Sequence, residues 1–334
     1  FVTKAEDVAA IGMSFGGVGF GALADDSGAV LPVVTNTCGV VTTWPVVTDG
    51  LTPTSVTVKG QPKGMAYSKD KKSVTGVPSV KDKSGTMTIT VKSAGGSRAW
   101  KVKWRTVALP AFACGTFYGW TYGECKTENG ECEIGDAVRK VTVSVTGAGK
   151  ITAKVGSLSL SRTGWTVGED GLYTATLTKT RMVGSGKKAK KYKDVMTLML
   201  DPESGWTEDQ LSGTFTTCLT TAPDAPTNAD TALSARRNPF GDKDNLEAKS
   251  VAAQLAALGT QTFTDETGLV WKLKVSTAGV ATISRTTGSG KNKKTVTATA
   301  VVEVAPSDAG DSDAGYASTA RFLVGGKVIS VPLP

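Results

Sequence analysis

Histidine is absent from the chain. That absence removes the usual general base, the commonest metal ligand and the one side chain that titrates near neutrality unperturbed. A Ser-His-Asp or Cys-His centre is therefore impossible. Cysteine is scarce: five residues, none paired at CxxC spacing. A zinc site would have to be all-cysteine or lean on carboxylates. No apolar run reaches the roughly 18 residues that a membrane helix needs, and no signal peptide stands at the start. The chain opens on Phe1, which fits a mature, processed product or a fragment. Gly184-Ser185-Gly186-Lys187 lacks GxxxxGK[ST] spacing and a strand–loop–helix frame, so it reads as a lysine-rich hairpin loop.

What is abundant points to β structure. Thr, Val, Ser and Gly dominate, with 39 glycines, and 40% of residues are hydrophobic. β-Branched residues suit a pleated, half-buried surface, and glycine supplies turns of positive φ. Net charge is +8. The lysines cluster in short loops (Lys69 to Lys72, Lys187 to Lys193, Lys291 to Lys294) without an aromatic array between them. They read as a solvated surface that blocks edge pairing, with no nucleic-acid partner implied.

Turn signals separate the strands. Residues 1–34 form an N-terminal extension or exchanged strand, in which Ile11, Met13 and Phe15, then Val18 and Phe20, alternate at period two around Gly16-Gly17. Residues 35–108 read as a small sandwich with clean alternation in Thr86 to Val91. Residues 109–218 hold a first β-meander and 219–243 a Pro-rich linker. Residues 244–334 hold a helix over 244–258, with Leu246, Val251, Leu255 and Leu258 on one face, and then a second meander. Asp244 is the expected helix cap. The fold class is all-β: an Ig-like sandwich followed by antiparallel, barrel-like repeats with one short helix.

Within 35–108 the run Val58-Lys-Gly-Gln-Pro-Lys-Gly-Met-Ala-Tyr67, then Val74-Thr-Gly-Val-Pro78, then Gly85-Thr-Met-Thr-Ile-Thr-Val91 resembles the He_PIG-like immunoglobulin-like repeat of bacterial surface proteins. Gln61 stands where that family has Leu, and Met87 where it has Tyr. The resemblance implies a spacer or ligand-displaying module without catalytic residues. From Cys114 onward the chain loosely resembles the barrel-forming repeats that follow such modules in large secreted bacterial proteins.

The two meanders are related. Val138 to Gly149 resembles Val270 to Gly279, and Gly184-Ser-Gly-Lys resembles Gly288-Ser-Gly-Lys. Ala278 follows Ala148 by 130 residues, whereas Gly288 follows Gly184 by 104, so the first copy carries about 26 extra residues around Trp165. Two halves of one barrel-like unit are expected.

Several residues are candidates for binding or linkage. Cys125 and Cys132 flank the Asn129-Gly130 turn and suit a disulfide. Cys114 and Cys218 end two Gly-Thr-Phe strands, and pairing of those strands would let a second disulfide close the sheet. Cys38 is left over, either a buried thiol or an intermolecular link. Trp120, Trp165 and Trp206 each follow a Gly; they are core anchors or, alternatively, sugar-stacking platforms. Asp308, Asp311 and Asp313, and likewise Asp242, Asp244 and Glu247, lack calcium-loop spacing. No cofactor is implied. The expected role is a non-catalytic secreted or cell-surface structural or adhesive protein, a filament or surface-layer subunit using strand addition, whose partners are copies of itself or other surface proteins. The alternative is a carbohydrate-binding module protein.

Overall fold

The structure, a computed structural model, describes residues 13–15, 18–20, 33–48, 53–94, 96–123, 137–228, 231–242, 244–306 and 316–333. It forms two compact units. One is Phe1–Cys114 with Val145–Ile151 and Arg162–Ala175; the other is Gly115–Ser144, Thr152–Ser161 and Thr176–Pro334.

In the first unit a five-stranded sheet has the order β2-β1-β4-β7-β6 and a four-stranded sheet the order β3-β9-β8-β5. The strands are β1 (Met13–Phe15), β2 (Val18–Phe20), β3 (Val33–Thr37), β4 (Thr42–Thr48), β5 (Ser55–Lys59), β6 (Met65–Ser68), β7 (Ser73–Gly76), β8 (Lys83–Ser93) and β9 (Gly96–Val107). The period-two pattern decides which side chains meet. Met87 lies opposite Val102 and Ile89 opposite Trp100, and all four point into one core with Trp44, Met65 and Val74. Burying each such side chain is worth about 1.5–3 kcal/mol. The parallel pair β3–β9 completes an Ig-like sandwich. The turn glycines behind the family resemblance are sterically required: a Cβ on Gly64 (φ +96°) would stand 2.1 Å from the Val77 carbonyl oxygen.

The orphan strand is not orphaned. β1 pairs with β2, and Met13 lies opposite Thr48 of β4, so Met13, Phe15, Val18 and Phe20 belong to a hairpin inside the chain's own sheet. Ile11 lies outside the described residues. A hydrogen-bonded home partner for β1 argues against its release to a neighbour.

The ten-stranded sheet comprises β10 (Gly115–Tyr122), β11 (Ala137–Val145), β12 (Lys150–Val155), β13 (Leu158–Thr163), β14 (Thr166–Val167), β15 (Tyr173–Val183), β16 (Lys190–Leu200), β17 (Leu211–Leu219), β18 (Ala222–Pro226) and β19 (Ala232–Arg237). Their order is β13-β12-β11-β10-β19-β17-β16-β15-β14, with β18 beside β17. The expected linker 219–243 thus contains two strands, β18 and β19. β19 lies between the two Gly-Thr-Phe strands, with Phe117 opposite Arg237 on one side and Leu211 opposite Ala235 on the other. β10 and β17 therefore never pair, and the Cys114–Cys218 bond does not form; Cys218 is a free thiol.

A six-stranded meander, β20-β21-β22-β23-β24-β25, ends the chain. It is built from β20 (Thr260–Thr264), β21 (Val270–Val275), β22 (Val280–Thr287), β23 (Lys294–Pro306), β24 (Tyr316–Val324) and β25 (Lys327–Leu333). The helix α1 (Leu246–Ala257) packs on it. Ala248, Ala252 and Leu255 are its buried face, whereas Leu246 is 76% exposed and Leu258 42%. Asn245, not Asp244, caps it, its side-chain oxygen accepting from Ala248 N at 3.0 Å. Capping one residue later moves the buried stripe onto small alanines, which let the helix lie close to the sheet.

The internal repeat is structural. Thr146 N donates to Lys150 O and Gly149 N to Thr146 O; Ser276 N donates to Val280 O and Gly279 N to Ser276 O. Gly149 (φ +74°) and Gly279 (φ +65°) hold the same left-handed position. Both Gly-Ser-Gly-Lys loops contain a short 3-10 turn, Gly186–Lys188 and Gly290–Asn292. The two meanders nonetheless form separate sheets.

Candidate functional site

The six-stranded sheet has two terminal strands, β20 and β25, whose outer edges carry no partner among the described residues. Between them lies a cleft of about 600 Å³. Such a volume is ligand-sized. Its walls are Phe263 on β20, Leu269 in the β20–β21 turn, and Val328, Ile329 and Pro332 on β25, with Trp271 at its floor. Glu266, Lys327 and Ser330 add polar groups.

The turn that shapes one wall is rigid for a local reason. Asp265 Oδ1 accepts from Thr267 N at 2.9 Å, Thr267 Oγ1 at 2.6 Å and Leu269 N at 3.0 Å. Its Oδ2 accepts from Trp271 Nε1 at 2.8 Å, which fixes the indole plane. These bonds, the Thr267 hydroxyl first and the Trp271 indole next, hold the Asp265 carboxyl down at about 2. A carboxylate bound to four donors in this way is committed to shaping the wall and is a poor general base.

The β25 edge can be read residue by residue. Gly325-Gly326 closes a two-residue hairpin with Val324 opposite Lys327. In such a hairpin the flanking pair exchanges both backbone bonds, and the bonding then alternates. The N–H groups of Val328 and Ser330 therefore face outward, and Pro332 falls at the next outward position, where a missing N–H is tolerated.

Elsewhere in the second unit arginine makes buried or half-buried ion pairs. Arg181 Nε lies 2.7 Å from Asp194 Oδ2, and Asp194 Oδ1 accepts from Thr217 Oγ1 at 2.8 Å. Arg321 grips Glu303 through Nε at 2.9 and 2.8 Å and through Nη2. Arg236 pairs with Asp209 and Arg237 with Asp242. Lys140 is pushed below the usual lysine range by burial, and its Nζ donates to Thr299 O at 3.0 Å. These contacts satisfy buried polar atoms and tie strands together.

The other sequence candidates are dispersed. Trp120 is 3% exposed and Trp165 0%, so neither offers a face to a sugar; Trp206 packs against the core of the six-stranded meander. Cys38 is 1% exposed and a free thiol, and burial pushes its ionisation up. Cys125 and Cys132, and Asp308, Asp311 and Asp313, lie outside the described residues. Asp242 accepts from Arg237, and its Oδ1 from Asp244 N. No group of three potential metal ligands occurs among the described residues. Among the same residues no helix is long and apolar enough to cross a membrane. The cleft was missed from sequence because its walls come from strands some 60 residues apart; Gly325-Gly326, a two-residue turn signal, is the local feature that points to β25.

No protein-family model matches the chain, so the likeness to the immunoglobulin-like repeat rests on the turn residues and the sandwich. No curated protein matches it either. Among solved structures it is similar to the ICAM-5 D1–D4 ectodomain fragment, 9% identical over 97% of this chain and 99% of that one, with a TM-score of 0.20. A likeness that slight carries no argument about fold or function.

Proposed function

We propose that the chain is a non-catalytic structural or adhesive protein of the cell surface that assembles with copies of itself by strand addition. One observation carries this reading: among the described residues the six-stranded sheet keeps two unpartnered edges beside an apolar cleft. Backbone groups on such edges template pairing with another chain, and alternate side chains supply specificity. The outward edge of β25 in one copy meets the edge of β20 in the next. That contact is head-to-tail, so it propagates as an open filament unless its rotation closes a ring. The missing histidine supports a role outside acid–base catalysis. Sugar stacking is the weaker reading, since Trp120 and Trp165 are buried.

The test is Ser330→Pro. It removes an outward N–H while leaving the β24–β25 hydrogen bonds intact. Light scattering on the wild type is expected to show mass rising with concentration, with filaments in electron micrographs, and the variant is expected to remain monomeric with an unchanged melting temperature. A wild type that stays monomeric at high micromolar concentration overturns the proposal, as does a variant that assembles equally well.

A further inference from the structure

The Gly-Ser-Gly-Lys hairpin occurs twice in the second unit, each time with a short 3-10 turn at its tip. In the second copy, β22 and β23 pair from Val280↔Val301 out to Thr287↔Lys294. β21 stops alongside Ser284, and β24 begins at the partner of Pro306 and reaches no further than Val302. The ribbon beyond Ser284 is thus two-stranded, with neighbours on neither side among the described residues. Its tip carries Lys291, Lys293 and Lys294, all exposed. In the first copy the tip between β15 and β16 carries Lys187, Lys188, Lys190, Lys191 and Lys193, also exposed. The acid nearest in sequence, Asp194, is buried and held by Arg181. Among the described residues none of these lysine ammonium groups has a carboxylate partner. Arginine makes the ion pairs Arg181–Asp194, Arg236–Asp209, Arg237–Asp242 and Arg321–Glu303, whereas the lysines of both tips are left to the solvent.

Lysines within a ladder protect its free edges, but Lys291 and Lys293 lie in the turn beyond the last pair, Thr287↔Lys294. Edge protection therefore does not account for these two. The same turn recurs 104 residues apart and is lysine-rich in both copies, with five lysines at the first tip and three at the second. We propose that the two tips bind an anionic polysaccharide. Lysine presents a compact, mobile point charge without the planar fork that reads bases and phosphates. The one aromatic ring at these tips, Tyr192, lies under the Arg181 guanidinium, 5.5 Å from its centroid, so no platform remains for stacking a base. Threonine hydroxyls stand beside the charges, as in the Thr286–Thr295 Oγ1 pair at 3.0 Å, and match the hydroxyls of a sugar chain. Spread, solvated ammonium groups suit carboxylate or sulfate groups distributed along a flexible polymer, with affinity arising from counterion release.

The experiment uses the full chain with polygalacturonate as probe, and neutral dextran and duplex DNA for comparison. Binding is followed by calorimetry between about 50 and about 200 mM NaCl, across which affinity for polygalacturonate is expected to fall at least about tenfold. K187Q/K188Q/K190Q/K191Q and K291Q/K293Q/K294Q are each expected to weaken binding several-fold and together to abolish it, with unchanged melting. The corresponding Lys→Arg sets are expected to retain it. Absence of binding, binding insensitive to these variants, equal binding of dextran, or tighter binding of DNA at the same salt each overturns the proposal. The seam is separate: Ser330→Pro is expected to leave polygalacturonate binding unchanged, so the two proposals fail independently.

Discussion

Gly39 and Gly149 stand back to back in the first unit, and replacing either by alanine should be severe for reasons the structure quantifies. Both have positive φ, +75° and +74°. A Cβ on Gly149 would lie 2.2 Å from Gly39 Cα and 2.7 Å from Gly39 O; one on Gly39 would lie 2.6 Å from Gly149 Cα. The two backbones are held in place, because Gly39 O accepts from Trp165 N at 2.9 Å and Gly149 O from Gly164 N at 2.8 Å. The left-handed conformation costs a side-chain-bearing residue about 1–2 kcal/mol. Forcing the backbones apart adds about 1–3 kcal/mol, as overpacking does. Loss of unfolded-state freedom returns about 0.4–1 kcal/mol. Gly149→Ala should therefore destabilise by roughly 2–4 kcal/mol, lowering the melting temperature of that unit by about 6–12 °C. Gly147, two residues earlier in the same turn, has open space around its Cβ position and no positive φ. Gly147→Ala should be neutral to within about 1 kcal/mol. Differential scanning calorimetry on both variants decides the matter: equal melting temperatures would refute the reasoning.

Three further outcomes follow from the same geometry. Leu255→Ala should cost about 2–4 kcal/mol in urea titrations and Leu246→Ala under about 0.5, because Leu255 is 3% exposed and Leu246 76%; comparable costs would restore the helix face that periodicity suggested, on which both leucines lie. The Asp265 carboxyl should titrate by NMR at about 2 and not near 3.8. Its folded value is depressed, so its contribution to stability is complete above the unfolded value and lost as pH falls through about 2; a midpoint near 3.8 would show that the turn bonds are absent. Cys38 and Cys218, 1% and 8% exposed, should resist iodoacetamide until urea unfolds the chain, as mass spectrometry can show; rapid native labelling of Cys38 would contradict its burial.

Much of the fold is legible locally because strand patterning and turn chemistry are short-range. The alternation in Thr86 to Val91 is readable in the sequence and falls within β8. The duplication was readable too, since the same residues must occupy the same left-handed turn positions in both copies. Pro45 sits within β4 and removes a ladder donor, which weakens the local strand signal there. β18 and β19 were taken for a linker because their prolines and small polar residues carry no strong β signal.

The sequence by itself determined the fold class, the repeat, the lysine-rich tips and the exclusion of histidine chemistry, since each depends on composition or on residues close together in the chain. Tertiary structure alone decided which strands are neighbours. It placed β19 between the two Gly-Thr-Phe strands, kept β1 and β2 at home against β4, and left β20 and β25 facing a cleft. Those outcomes depend on contacts between residues far apart in sequence, where many pairings satisfy the same local pattern. Packing and backbone hydrogen bonding, summed over the whole sheet, select one of them.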